Sequence, residues 1–131
     1  MLYKLNTEEL GYDFPLELTE MKLKKILQSP SDGLFAAELA GQLVGYIHVC
    51  GYELLYASSM VNVLGIAVSS QHRRQGIGRA LLEAAERWAK ERGAEGVRLN
   101  SGEERAEAHE FYKSMGYSCK KKQLNFSKIF G

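Results

Sequence analysis

A chain of 131 residues, 45% hydrophobic and 25% charged with only two prolines, is long enough to bury one apolar core, which excludes both disorder and a second domain. Seventeen basic residues against sixteen acidic ones leave a net charge of +1, so no global field draws the chain to nucleic acid or membrane and any anion site is local. Cys50 and Cys119 are too few and too far apart for a zinc pattern or a disulfide framework, no apolar run approaches the roughly 18 residues of a membrane span, and nothing at Met1 resembles a signal peptide. The expectations are a single domain over residues 1–131, a reducing cytoplasm and no metal.

In chain order, Leu16 to Gln28 sets Leu16, Leu18, Met21, Leu23, Ile26 and Leu27 among charges at partly helical spacing, and Ser29-Pro30-Ser31-Asp32-Gly33 breaks the pattern. Leu34 to Leu39 and Leu43 to Val49 favour extended chain, with Gly41-Gln42 as the tight turn of a hairpin. Val61 to Val68 is β-branched and short, the signature of a buried strand. Ile77, Leu81, Ala84, Ala85 and Trp88 then recur at helical spacing, Glu83 and Glu86 stand four residues before Arg87 and Lys90, and Gly93 supplies a stop. Val97 to Asn100 is a short strand, and Ser101 with Glu104 has the form of a capping box. The helix it opens carries Ala108, Phe111, Tyr112 and Met115 on one face and ends at Gly116. Alternation at Leu124, Phe126 and Phe130 predicts a final strand. This order predicts an α+β fold, a mostly antiparallel mixed sheet flanked by helices.

The segment Gln71-His72-Arg73-Arg74-Gln75-Gly76-Ile77-Gly78-Arg79-Ala80 lies where the buried strand hands over to the long helix. The first amides of a helix have no internal partner and carry the positive end of its dipole, so they can receive a phosphate. Gly76 and Gly78 leave the main chain approachable, while Arg73, Arg74 and Arg79 add charge suited to a pyrophosphate. The alternative is a glycine turn that caps a helix among solvated arginines. There is no Gly-Lys-Ser/Thr ending and no three-glycine dinucleotide fingerprint.

Arg73-x-x-Gly76-x-Gly78 resembles the Arg/Gln-x-x-Gly-x-Gly/Ala signature of the GNAT N-acetyltransferases. Ser101-Gly102-x-x-Arg105-x-x-Ala108-His109-x-Phe111-Tyr112-x-x-x-Gly116-Tyr117 resembles the family's next block, a short strand leading to a helix with a tyrosine. The likeness runs from about Asp32 to the C-terminus, with both motifs in the right order and spacing.

That resemblance implies the acyl-CoA N-acyltransferase fold, an α/β three-layer arrangement in which two central strands splay apart around the cofactor, and acetyl-CoA as cosubstrate. Main-chain groups of Ile66, Ala67 and Val68 would bind the pantetheine arm, and Arg73, Arg74, Gln75, Gly76, Ile77, Gly78 and Arg79 the pyrophosphate. Acyl transfer develops an oxyanion that a fixed N–H donor stabilises by about 3 kcal/mol. Tyr112 matches the family tyrosine that returns a proton to the departing thiolate, and it is also counted among the cofactor-binding residues; on spacing alone it reads as a core aromatic beside Phe111.

A base must deprotonate the ammonium form of the acceptor. Relatives carry a carboxylate near the middle of the strand before the glycine turn, but here Leu64 and Gly65 occupy that region. Glu53 and His48 are the candidate bases, and Asn62 could route water; a lone strand histidine also reads as structural. Arg105 stands where relatives have a cofactor-binding asparagine, a contact Asn100 could replace, and His109 matches a histidine expected to orient rather than to act as base. Leu10 to Pro15 resembles a segment that usually follows a first strand and helix, so the first strand is missing or formed by Leu2 to Leu5.

Two other classes remain open: a GNAT-fold protein that binds acyl-CoA without turnover, and a helix-hairpin-helix nucleic-acid module built on Gln75 to Ala80, which needs a helix before the glycines. Lys120 to Lys122 read as a solvated stretch at a sheet edge. The expected partner is a small-molecule or protein amine, with a homodimer allowed, and no sequence feature selects the acceptor.

Overall fold

The computed structural model describes residues 16–102 and 105–131. The segments at Leu2 to Leu5 and Leu10 to Pro15 lie outside them, as does Glu104. By contact density the chain divides into units of residues 1–100 and 101–131.

In the first unit, helix α1 (Leu16–Gln28) half-buries Leu23 and Ile26 and leaves Met21 and Leu27 each 67% exposed. Strands β1 (Asp32–Leu39) and β2 (Gln42–Tyr52) form the hairpin, longer at its open end than the apolar run predicts. Its turn is Ala40-Gly41, not Gly41-Gln42: Leu39 pairs with Gln42, and Ala40 and Gly41 take φ of 52° and 79°. Two successive left-handed residues match the right-handed twist of the flanking strands, and that preference outweighs the cost of placing an alanine there.

Strand β3 (Met60–Val68) pairs antiparallel with β2, and β4 (Gly96–Leu99) pairs parallel with β3, giving a mixed sheet in the order β1-β2-β3-β4. Helix α2 (Ile77–Glu91) makes the crossover between the parallel strands and packs on one sheet face. Gly33 and Gly45 let it come close. A Cβ at Gly33 would lie 2.9 Å from the Trp88 ring, and one at Gly45 would lie 3.2 Å from Ile77 and Leu81.

The core lies between this sheet face and α2: Ile47, Val49, Val61, Leu82 and Ala85 are fully buried. Each large side chain so buried contributes about 1.5–3 kcal/mol before the entropy cost of ordering it. Sequence spacing placed Ala84 and Trp88 in this stripe, yet both are half-buried while Leu82 and Ala89 go in, a rotation of the stripe set by the sheet. A Schellman cap ends α2, with Gly93 at φ 77°, Gly93 N–H on Lys90 C=O and Ala94 N–H on Ala89 C=O.

In the second unit, α3 (Ala106–Ser114) starts after Arg105, with no side-chain cap bond, rather than at a Ser101 capping box. It ends in the same Schellman pattern at Gly116, φ 93°, with Tyr117 N–H on Tyr112 C=O. The final strand expected at Leu124 to Phe130 does not form: residues 117–131 carry no ladder bonds, and Leu124, Phe126 and Phe130 are at least 84% exposed. Alternation shapes a face but cannot supply the neighbouring edge that a strand requires. Among the described residues, no helix is long and apolar enough to cross a membrane.

Candidate functional site

Beyond Val63 the two parallel strands part company. The last β3–β4 pair is Val63 with Leu99, and β3 then runs from Leu64 to Val68 bonded to β2 alone. The backbone edge of this stretch that faces away from β2, including Ile66, Ala67 and Val68, has no described strand beside it. A register shift between His48 and Val49 adds a bulge: His48 pairs with Gly65 and Val49 with Val63, leaving Leu64 looped out and 54% exposed.

The open edge leads into the glycine turn. A 3-10 turn at Ser70–His72 is followed by extended Arg73, then Arg74 at φ 64° and Gly76 at φ 79°. Gly76 is the N-cap of α2, without a side-chain cap bond and without an acidic residue in the helix's first turn. The amides of Ile77, Gly78 and Arg79 are therefore uncapped donors at the positive end of a long helix, and no atom lies within 4 Å of where a Gly76 Cβ would stand. Arg73, Arg74, Gln75 and Arg79 surround the turn with exposed side chains, and Ile77 is half-buried beneath it. A turn with left-handed Arg74 and Gly76 leading into uncapped helix amides is a backbone arrangement suited to an anion. Because only β3 and a single three-residue 3-10 turn precede these glycines, with no α-helix there, the helix-hairpin-helix reading fails.

A polar row crosses the sheet face opposite α2. Strand parity sets Asp32, His48, Cys50, Tyr52, Asn62 and Arg98 on that face, since Gly33 and Gly45 point at the helix. His48 Nε2 lies 2.8 Å from Asp32 Oδ1. Hydrogen bonds from Ser29 and then His48 hold the Asp32 carboxyl below its usual range. Burial first, then the Asp32 charge, pushes the Cys50 thiol up, against a hydrogen bond with Asn62. Arg98 donates to Asn62 Oδ1 at 2.6 Å and to Asn100 Oδ1 at 3.2 Å, its guanidinium 4.3 Å over the Tyr52 ring.

Glu53 is exposed in the loop after β2 and accepts the Ser59 hydroxyl at 2.9 Å, which closes that loop. In the second unit, burial pushes the Tyr112 phenol above its usual range and the Arg105 charge pulls it partly back. Phe111 and Tyr117 pack on Tyr112 with ring centroids at 5.4 and 6.2 Å. His109 Nε2–H donates to Gly102 C=O at 2.8 Å.

The sequence model of the acetyltransferase (GNAT) family matches residues 1–117. The chain belongs to the GNAT family. Two curated relatives agree with this membership. An uncharacterized N-acetyltransferase of Methanocaldococcus jannaschii is 33% identical over 99 residues, 74% of this chain and 44% of that protein. One of Chlorobaculum tepidum is 33% identical over 123 residues, 92% of this chain and 71% of its own length. The chain thus spans less than half of the first relative. Among solved structures, AAC(6')-Iy in complex with the bisubstrate analogue CoA-S-monomethyl-acetylneamine superposes with a TM-score of 0.88 at 19% identity, over 98% of this chain and 90% of that one, so the two share the GNAT fold.

Within that family frame, the residues named from the glycine signature stand contiguously at the end of β3 and the start of α2, while Asn100 sits at the tip of β4. Sequence reasoning missed Asp32, Cys50, Tyr52 and Arg98. The only available signal was the alternation along each strand, which says nothing until the register aligns the strands.

Proposed function

We propose that this GNAT chain transfers an acetyl group from acetyl-CoA to a primary amine by direct attack in a ternary complex. The observation that carries the reading is the continuity of the open β3 edge from Leu64 to Val68 with the uncapped, glycine-lined N-terminus of α2. A pantetheine arm has peptide-like amides that can bond such an edge, and a pyrophosphate needs donors such as the Arg74 to Arg79 amides. The likeness to a neighbour solved with a CoA-linked bisubstrate analogue supports the same ligand class.

The cosubstrate supplies a thioester carbonyl, which the neutral amine attacks with release of the CoA thiolate. In the chain, edge N–H groups near Ile66 and Val68 stabilise the oxyanion. His48 is better supported than Glu53 as base: it pairs in register with Gly65, where β3 begins to run alone, whereas Glu53 is committed to Ser59 in an exposed loop. With Nε2 turned to Asp32, Nδ1 of His48 is the atom left to accept a proton. Tyr112 is assigned as proton donor on its motif position, and a phenol above its usual range remains protonated at neutral pH. Asn100 and Arg105 complete the set of side chains assigned to the cofactor.

The exposed apolar tail supports a homodimer. Leu124, Phe126, Ile129 and Phe130 are 84–89% exposed, a costly surface for a lone chain. Free Cys50 and Cys119 accord with a reducing cytoplasm.

Release of free thiol from acetyl-CoA, followed across polyamines, amino acids, aminoglycosides and peptide amines, tests the reading. Amine-dependent release above the hydrolytic background is expected with one class; none with any class would contradict it.

A further inference from the structure

We propose that Arg98 binds a carboxylate on the acceptor, so that the amine acetylated here belongs to an amino acid or a close analogue rather than to a polycation. This rests on the acetyl-transfer reading above and adds the class of acceptor to it.

The register makes the case. Asp32 pairs with Cys50, Cys50 with Asn62 and Asn62 with Arg98, so four polar side chains form one line across all four strands, on the face that α2 leaves open. The two ends of the line are not alike. At the β1 end, the carboxylate of Asp32 is already taken by Ser29 and His48. At the β4 end, Arg98 is half-buried, and its contacts are the amide oxygens of Asn62 and Asn100 and the face of Tyr52. All three are neutral.

A guanidinium has five N–H donors, and two amide oxygens leave most of its fork unspent. Asp32 stands three strand spacings away, about 14 Å, and cannot neutralise it. Among the described residues, no carboxylate bonds Arg98. A partly desolvated cation held flat by an aromatic ring and oriented by two side-chain amides is pre-organised for a planar anion, and the carboxylate is the group that matches its geometry.

Position supplies the link to chemistry. Asn62 and Arg98 form the pair immediately before Val63 and Leu99, the last before the strands separate. An acceptor whose amine enters that opening brings its other substituents over Arg98, and a carboxylate a few bonds from the amine meets the fork. Polyamines and aminoglycosides would bring positive charge to the same place and be repelled.

The test pairs each of the twenty L-amino acids with its primary carboxamide, which removes the negative charge and keeps the side chain. Thiol release from acetyl-CoA is the readout, and CoA binding is measured separately by calorimetry. At least one free amino acid should be acetylated with a kcat/KM about 10- to 100-fold above that of its amide, the range expected for a charge-assisted pair. Arg98→Gln should erase that preference, mainly through KM, with CoA affinity unchanged; the acid-to-amide ratio of the unaltered protein carries the test even if the variant misfolds. Equal rates for acid and amide, a preference for the amide, or turnover confined to polycations would overturn the assignment. Intact CoA binding with no amino acid acetylated would also overturn it while sparing the cofactor reading. Absence of CoA binding would remove the reading on which it stands, and this assignment with it.

Discussion

His48 and Asp32 meet at 2.8 Å across the β1–β2 pair, with side chains 17% and 19% exposed, and this contact fixes Nε2 as the imidazole nitrogen that the carboxylate engages. Leu34, not Asp32, is the direct register partner of His48, so the carboxylate reaches diagonally along the strand to make the bond. A carboxylate that only solvated the hairpin end would have no need of that partner.

His48→Gln should lower kcat by about 100-fold or more, the ordinary worth of a positioned base, while the KM for acetyl-CoA stays within about twofold. Asp32→Asn should cost less, about 10-fold, because the ring is kept and only its orientation is loosened. Steady-state kinetics on the two variants check the order; a larger loss from Glu53→Gln than from His48→Gln would transfer the role to the loop.

Asp32 also ties stability to pH. Its carboxyl is held below the usual range, so its contribution is fully present above the unfolded value, about 4, and is lost as pH falls through the lower folded value. Urea unfolding between pH 3 and about 6 should therefore show the natural protein losing more stability toward acid than Asp32→Asn does. Parallel curves would mean the pair contributes nothing to folding.

The glycines separate fold from function. Gly33→Ala would set a Cβ 2.9 Å from the Trp88 ring and 3.1 Å from Val49, and overpacking of this kind costs about 1–3 kcal/mol. Gly76→Ala meets no neighbour within 4 Å, so its cost is the φ of 79° alone, about 1 kcal/mol. Thermal unfolding should rank Gly33→Ala as the more destabilised. CoA affinity should fall more in Gly76→Asp, where a carboxylate enters the glycine turn.

Tyr112→Phe should reduce turnover by about 10- to 100-fold with little change in CoA affinity, because only the proton donor is removed. Burial raises the phenol, so wild-type turnover should hold to a higher pH than a free phenol near 10 would allow. Unchanged turnover in the variant would return Tyr112 to the role of a packed aromatic between Phe111 and Tyr117.

What could be read from the chain alone was what is local. The Gly76 turn, the extent of α2 and the Gly93 stop each depend on residues within a few positions of one another, and the structure places them as their spacing implies, whereas the buried stripe of α2 is rotated to meet the sheet. The hairpin turn slipped by one residue because an alanine at φ 52° carries no compositional mark. The tail from Leu124 to Phe130 alternates like a strand, but pairing needs an edge that sequence cannot display. Arg98 and Asn62 lie 36 residues apart and meet only because the parallel register of β3 and β4 sets them side by side. Side-chain rows across a sheet are invisible until that register is fixed.

The central claim is that the Arg74 to Arg79 backbone receives the diphosphate of coenzyme A. Amide chemical-shift perturbation on the labelled protein, titrated with CoA, tests it most directly. Saturable shifts at Gly76, Ile77 and Gly78, together with Ile66 to Val68 on the open edge, are the predicted result. Saturating CoA that leaves those amides unmoved would contradict it.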